Sequence, residues 1–424
     1  MLAPMAGNAS ENRGETMNLT RRLLLGATAA APLHRARAAG PEPVRIGVLT
    51  DLSGPYRDVT GPTSVTCVRQ AVAEFTAANP SIPVEVLAAD HQNKPDIAVG
   101  IARQWFDRGG VDVITDVGNS AAAIALNTVV EDKDRVHLNT AAGTSELTGR
   151  HCSPNLIHWS YDTWCLAHST GTALTKAGGE TWFFVAADYT FGHSIQRDTT
   201  QFITEAGGKV LGAAVYPFPG TTDFSAYLLQ AQASGARVIG FANAGDDLVN
   251  CVKQAQEFGI TRNGTRLAAM VGGITGVVAM GLQTSQGLVL TETFYWDMNA
   301  RTRSFYARVK PNLPAGIFPN NVHAGAYAGV VHYLKTVRAI GPAAAKASGR
   351  AAVAAMKAMP TDDDCFGHGV IRPDGRKIHP AYLFQTKTPA ESHYPGDVFT
   401  VLATTPAAEA FRPMAAGGCR LVPA

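Results

Sequence analysis

Short apolar segments that read as buried strands alternate with helical segments along most of this chain, in two consecutive sets, and this alternation limits the fold more than any other feature. In the first set, residues 44–50, 84–89, 111–116 and 136–139 read as strands, with helices at 63–78, 96–108 and 120–131 between them. The second set places helices at 163–177, 192–205, 224–234 and 246–258 around strands at 181–186, 209–217, 238–242 and 267–271. Each set has the pattern of a doubly wound, Rossmann-like α/β layer, so the expected architecture is two lobes in one chain. Ligands of open α/β sheets bind beyond the carboxyl ends of the strands, and two facing lobes would enclose a cleft there.

Ahead of the first strand lies an address. Thr20-Arg21-Arg22-Leu23 places paired arginines before the apolar run 23–32, and Ala36-Arg37-Ala38 then offers the small residues read by a signal peptidase. Residues 1–38 are therefore expected to be an export signal cleaved near Ala38; the pair resembles a twin-arginine signal, and an ordinary secretory signal also carries such pairs. The run is shorter than the roughly 20 apolar residues that cross a bilayer.

The net charge of +2 over 424 residues, with 17% charged residues, gives no electrostatic footprint for nucleic acid. The six cysteines have no Cys-x-x-Cys pairing and no metal-like spacing, which in an exported chain points to one or two disulfides plus buried thiols. Cys152 with Cys419 is the favoured pair, because both flank irregular segments where a staple limits chain entropy.

The stretch Val44-Arg-Ile-Gly-Val-Leu-Thr-Asp-Leu-Ser-Gly-Pro-Tyr56 is followed by Asp90-His-Gln-Asn-Lys-Pro-Asp96, Gly118-Asn-Ser120, Ala142-Gly-Thr-Ser-Glu-Leu147, Asp188-Tyr-Thr-Phe-Gly192 and Gly220-Thr-Thr-Asp-Phe-Ser225. In this order the motifs resemble the branched-chain amino acid (leucine/isoleucine/valine) group of periplasmic ABC-transporter binding proteins, across nearly the whole mature chain. The resemblance implies a type I periplasmic binding fold, with two α/β lobes joined by a three-crossover hinge, closing on a small ligand and delivering it to a membrane permease. On that pattern residues 44–159 form lobe 1, 160–291 lobe 2, 292–360 a return to lobe 1, 361–402 a return to lobe 2, and 403–424 a C-terminal tail. Crossovers are expected at 159–162, 291–295 and 361–369, and Arg372-Pro-Asp-Gly-Arg376 reads as a hairpin turn. A monomer in the periplasm, without a cofactor or metal, suits that role.

The same resemblance assigns ligand contacts. Carboxylate recognition falls on Asn119 and Ser120 and on the loop holding Ala142 and Gly143; a helix start with a hydroxyl and free N–H groups makes an anion site, although a plain helix N-cap has the same sequence. Ser53 and Tyr56 belong to the first strand-to-helix loop, where Tyr56 either covers a ligand or packs on its own lobe. From the second lobe Asp188, Tyr189 and Phe191 match an aromatic lid, and Asn243 a further contact. Tyr161 and Trp164, with Tyr295 and Trp296, add flat surfaces near the crossovers or simply pack the hinge.

One departure narrows the ligand. Amino acid binders carry an acidic residue after the strand equivalent to 267–271, where this chain has Gly272-Gly273. A buried ammonium without its partner costs about 3–5 kcal/mol, a hundredfold or more in affinity, which favours an aromatic or other organic acid lacking an α-amine. Asp162, Asp188, Asp246 and Asp247 stay as alternative partners, and with them an amino acid or amide ligand. Catalysis finds no support: there is no His-Glu-x-x-His, no Gly-x-Ser-x-Gly, and Asp362-Asp363-Asp364 with Cys365 and His368 matches no standard metal spacing. A sensory module for a membrane receptor would use the same cleft.

Overall fold

The computed structural model describes residues 42–423. The export signal and its cleavage near Ala38 lie outside the described residues. Strands β1 (Val44–Thr50), β2 (Val84–Asp90), β3 (Val113–Asp116), β4 (Val136–Asn139) and β5 (Leu156–His158) form an all-parallel sheet in the order β2-β1-β3-β4-β5. β1, β3 and β4 are buried on nearly every residue, which is why they read as continuous apolar runs rather than alternating ones.

A second sheet takes β6 (Thr181–Ala187), β7 (Lys209–Tyr216), β8 (Val238–Ala242), β9 (Arg266–Ala269) and β10 (Val289–Glu292). These run parallel in the order β10-β9-β8-β6-β7. Strands β11 (Thr361–Asp363), β12 (Gly367–Ile371) and β13 (Lys377–Ile378) make a separate three-stranded antiparallel sheet. β14 (Ala381–Thr386) and β15 (Phe399–Thr405) then extend the second sheet past β10, both antiparallel to their neighbours.

Up to β15 the chain passes between the layers three times. It leaves β5 for the helix Thr163–Lys176 and β6, and it leaves β10 for Ala300–Val309 and Asn321–Ile340, which pack on the first-lobe helix Gly61–Ala78. It crosses finally from β13 into β14. This last passage lies at Ile378–Ala381, not at 361–369 as the sequence suggests: β11 and β12 stay with the helices Asn321–Ile340 and Gly349–Ala358, because the hairpin through Asp374-Gly375 turns the chain back once more. Strand β15 also runs to Thr405, past the expected start of the tail at 403.

Arg376 fastens the passages. It is fully buried, and its guanidinium donates to the carbonyls of Tyr161 (2.9 Å), Lys377 (3.0 Å) and Trp159, lies 3.6 Å from Asp162 and stacks on Phe411. Burial pulls its pKa down to about 10 and pushes that of Asp162 up, so the pair is held by geometry against a desolvation cost. The Thr293 hydroxyl donates to Ser160 O at 2.9 Å, joining the second passage to the first.

Beyond β15 the chain returns to the first lobe. Arg412 donates to Ser145 O at 2.8 Å, and Cys419 is bonded to Cys152, the pairing favoured from sequence. The other four cysteines are free and buried. Among the described residues no helix is long and apolar enough to cross a membrane.

Candidate functional site

The loops at the carboxyl ends of β1, β3 and β4 face those of β6, β8 and β9, and the two sets touch. Tyr56 from the first lobe meets Tyr189 from the second, hydroxyl to hydroxyl at 2.6 Å, and Asp246 N–H donates to Pro55 O at 3.1 Å. Thr144 bonds Ser194 at 2.9 Å, Ser145 donates to Asp198 at 2.9 Å, and Arg197 pairs with Glu146 at 3.1 Å. The lobes are thus closed on one another.

Tyr56, Tyr161, Tyr189 and Phe191, with Ala141 and Gly143, enclose a space of only about 10 Å³. Phe218 backs this cage, stacked on Tyr189 at 4.5 Å and Tyr56 at 5.5 Å between ring centres. A side chain at Gly143 would begin 3.0 Å from Tyr161 and 3.3 Å from Phe191, so glycine is what lets the first-lobe loop approach the aromatic wall. Burial raises the Tyr56 and Tyr189 pKa values well above those of free phenols, leaving both as neutral hydrogen-bonding hydroxyls.

Beside the cage, and sharing Tyr161, Val59 and Ala244 with it, lies a cavity of about 200 Å³ bordered by Gly272, Gly273, Asp246, Glu292 and Asn320. Burial raises the Asp246 pKa, and the nearby Arg57 opposes it.

The residues expected from sequence divide. Tyr56, Gly143, Tyr161, Tyr189, Phe191 and Gly272 line these spaces. Ser120 is buried just behind them and its Oγ accepts from Thr144 N–H at 3.3 Å, tying the loops at 118–120 and 141–144 together. The helix cap is Asn119 instead: it accepts from Ala122 N–H at 2.9 Å and donates to Asn93, so its side chain is used within its own lobe. Ala142 turns into the first-lobe core and its N–H goes to Asn139.

Three residues point elsewhere. Ser53 is exposed and bonded to Asp90 at 2.6 Å; Asp188 is exposed and pairs with His193 at 2.9 Å; Asn243 is buried against Cys251, with Ala244 taking its place in the wall. Trp164 packs on His168 and Phe202, while Tyr295 and Trp296 bond Gly396 O, so of these four crossover aromatics Tyr161 alone reaches the site. Among the alternative acids, Asp162 serves the hinge and Asp247 accepts from Tyr216 at 2.7 Å.

Reasoning from sequence missed Phe218, Val59, Ala244 and above all Glu292. The carboxyl missing from Gly272-Gly273 is supplied in space by this neighbour: a Cβ on Gly273 would lie 2.1 Å from Glu292 Oε1. The one available signal was a lone acid closing the apolar strand Val289–Glu292.

In the first lobe β3 ends in strain. Asp116 (φ 78°) and Val117 (φ 59°) take left-handed backbone conformations without being glycine, and the Asp116 carboxyl is fully buried, with the Thr50 and Ser64 hydroxyls as its support. Burial pushes its pKa up to about 7. Among the described residues no cluster of His, Cys, Asp and Glu is placed to hold a metal ion.

Two facing α/β lobes with an interlobe site define a bilobal solute-binding protein. A family model described as periplasmic binding protein matches residues 43–392, and the chain belongs to that family, in the group serving branched-chain amino acid ABC transporters. It is similar to a periplasmic binding protein from Burkholderia mallei, at 42% identity and TM-score 0.84 over 89% of this chain and 99% of that one. A branched-chain amino acid ABC transporter periplasmic ligand-binding protein from Burkholderia xenovorans LB400 is 36% identical, with TM-score 0.78 over 89% and 99%. A solute-binding protein of an R. palustris ABC transporter, in complex with benzoate, shares the fold at 18% identity and TM-score 0.77 over 90% and 100%. The family implies a periplasmic location and is not a class of enzymes.

Proposed function

We propose that this solute-binding component of an ABC transporter captures a small organic acid, aromatic or otherwise flat, without an amine beside its carboxylate. The observation that carries the reading is the aromatic cage of Tyr56, Tyr161, Tyr189, Phe191 and Phe218 set against the Ala141–Gly143 loop. On this reading the carboxylate sits at the first-lobe loops 118–120 and 141–144, where the Ser120 hydroxyl, now accepting from Thr144 N–H, has its own proton to donate, insensitive to what the acid carries beyond it. Second-lobe aromatics then close over the body of the ligand by rotation about the passages fastened at Arg376.

Burial raises the Glu292 pKa well above the ordinary carboxylate range, which weakens that carboxyl as a partner for an ammonium. A solute-binding protein of the same fold from R. palustris is in complex with benzoate, which supports the reading. Closed, the protein presents itself to a membrane permease, acting as a monomer. The decisive experiment is a thermal-shift screen of aromatic acids, aliphatic acids and amino acids, since a selective ligand raises apparent stability by mass action. Selective stabilisation by an aromatic or des-amino acid is expected. Tight binding of leucine or valine with no response to their des-amino counterparts would overturn the reading.

A further inference from the structure

Glu292 ends β10 and is 1% exposed, yet its Oε2 has no hydrogen-bond partner among the described residues. Among the described residues its polar support is the Ile274 backbone N–H, and none of their cations offsets its burial. The carboxyl borders the 200 Å³ cavity with Asn320 and Tyr161, and Tyr161 also walls the aromatic cage. One ligand can therefore touch both compartments. An unsatisfied buried polar atom costs about 1–3 kcal/mol, and the same strand is otherwise content with valine, leucine and threonine at its other positions. The chain keeps a group there whose hydrogen bonds are incomplete.

We propose that Glu292 reads the far end of the ligand, exchanging hydrogen bonds with an uncharged hydroxyl on an acid whose carboxylate sits at the first-lobe loops. This rests on the organic-acid reading above and sharpens it to hydroxy acids. A protonated carboxyl both donates and accepts, as a hydroxyl does, so the two match without a buried charge. The glycine at 273 has a reason on this account, since any side chain there would displace the carboxyl.

Isothermal titration with benzoate, 4-hydroxybenzoate and 4-(aminomethyl)benzoate tests it on the wild type, Glu292→Gln and Glu292→Leu. The wild type is expected to prefer the hydroxylated acid over benzoate by about tenfold. Glu292→Gln, still able to donate and accept, keeps that preference, and Glu292→Leu loses it, binding 4-hydroxybenzoate no better than benzoate. A wild type indifferent to the hydroxyl, or a preference that survives in Glu292→Leu, overturns the proposal; the wild-type comparison alone decides it if the leucine variant does not fold. Preference for the ammonium probe, abolished in Glu292→Gln, overturns it in favour of a cation. A wild type that binds none of the three overturns the acid reading itself, a failure distinct from binding without discrimination.

Discussion

Replacing Arg376 by methionine removes the side chain that joins the first and third passages of the hinge while leaving its volume nearly filled. The carbonyls of Tyr161 and Lys377 lose the guanidinium's N–H groups, that of Trp159 is left with His379, and the Asp162 carboxylate, 2% exposed, loses the cation it pairs with. Breaking a buried pair from one side costs about 3–5 kcal/mol, because the partner stays buried and uncompensated. The retained Cys165 N–H bond to Asp162 and the methionine packing on Phe411 place the expected loss near the lower end, about 3 kcal/mol. Arg376→Lys keeps a charge but not the fork that spans separate carbonyls, and is expected to recover less than half. Equilibrium urea unfolding followed by tryptophan fluorescence measures both, with the unchanged slope confirming that the unfolded state is the same. A loss under about 1 kcal/mol in the methionine variant would refute the claim that this guanidinium holds the passages together.

Other outcomes follow from the same geometry. Asp116 has a folded pKa of about 7 against roughly 3.9 unfolded, so the native state binds the extra proton and stability falls as pH rises from 4 to 7. Asp116→Asn should flatten that fall in melting temperature, and an unaltered slope would show that the carboxyl is not the cause. Asp198 accepts from Ser145, Thr163 and Arg197 where the lobes meet. Asp198→Ala is therefore expected to enlarge the radius of gyration in small-angle scattering by favouring separated lobes. Thiol titration of the native protein should detect none of the four free cysteines quickly and all four after denaturation; a fast-reacting thiol would contradict their burial.

Much of the first sheet was legible because parallel strands covered on both faces must be apolar throughout, as β1, β3 and β4 are. The site was legible only in part. Tyr56, Tyr189 and Phe191 sit at strand ends and point where strand ends point in such sheets. Ser53, Asp188 and Asn243 sit equally well, and what turns them away is a nearby competitor, Asp90, His193 or Cys251, whose pull does not show in the spacing. Glu292 escaped because its closeness to Gly273 depends on β10 pairing with β9, a tertiary fact. The third passage escaped because Lys377–Ile378 is too short to announce itself as a strand.

The return of the chain after β15 has a mechanical consequence. Phe411 is pinned beneath Arg376, Arg412 is bonded to Ser145, and Cys419 is joined to Cys152, so the end of the second lobe is leashed to the first by a covalently anchored cord. Residues 406–410 are the slack in it, and fully drawn out they reach at most about 18 Å. A jaw built this way swings only until the leash is taut. The gape that admits a ligand is then set by the length of a few tail residues as much as by the joint on which the lobes turn.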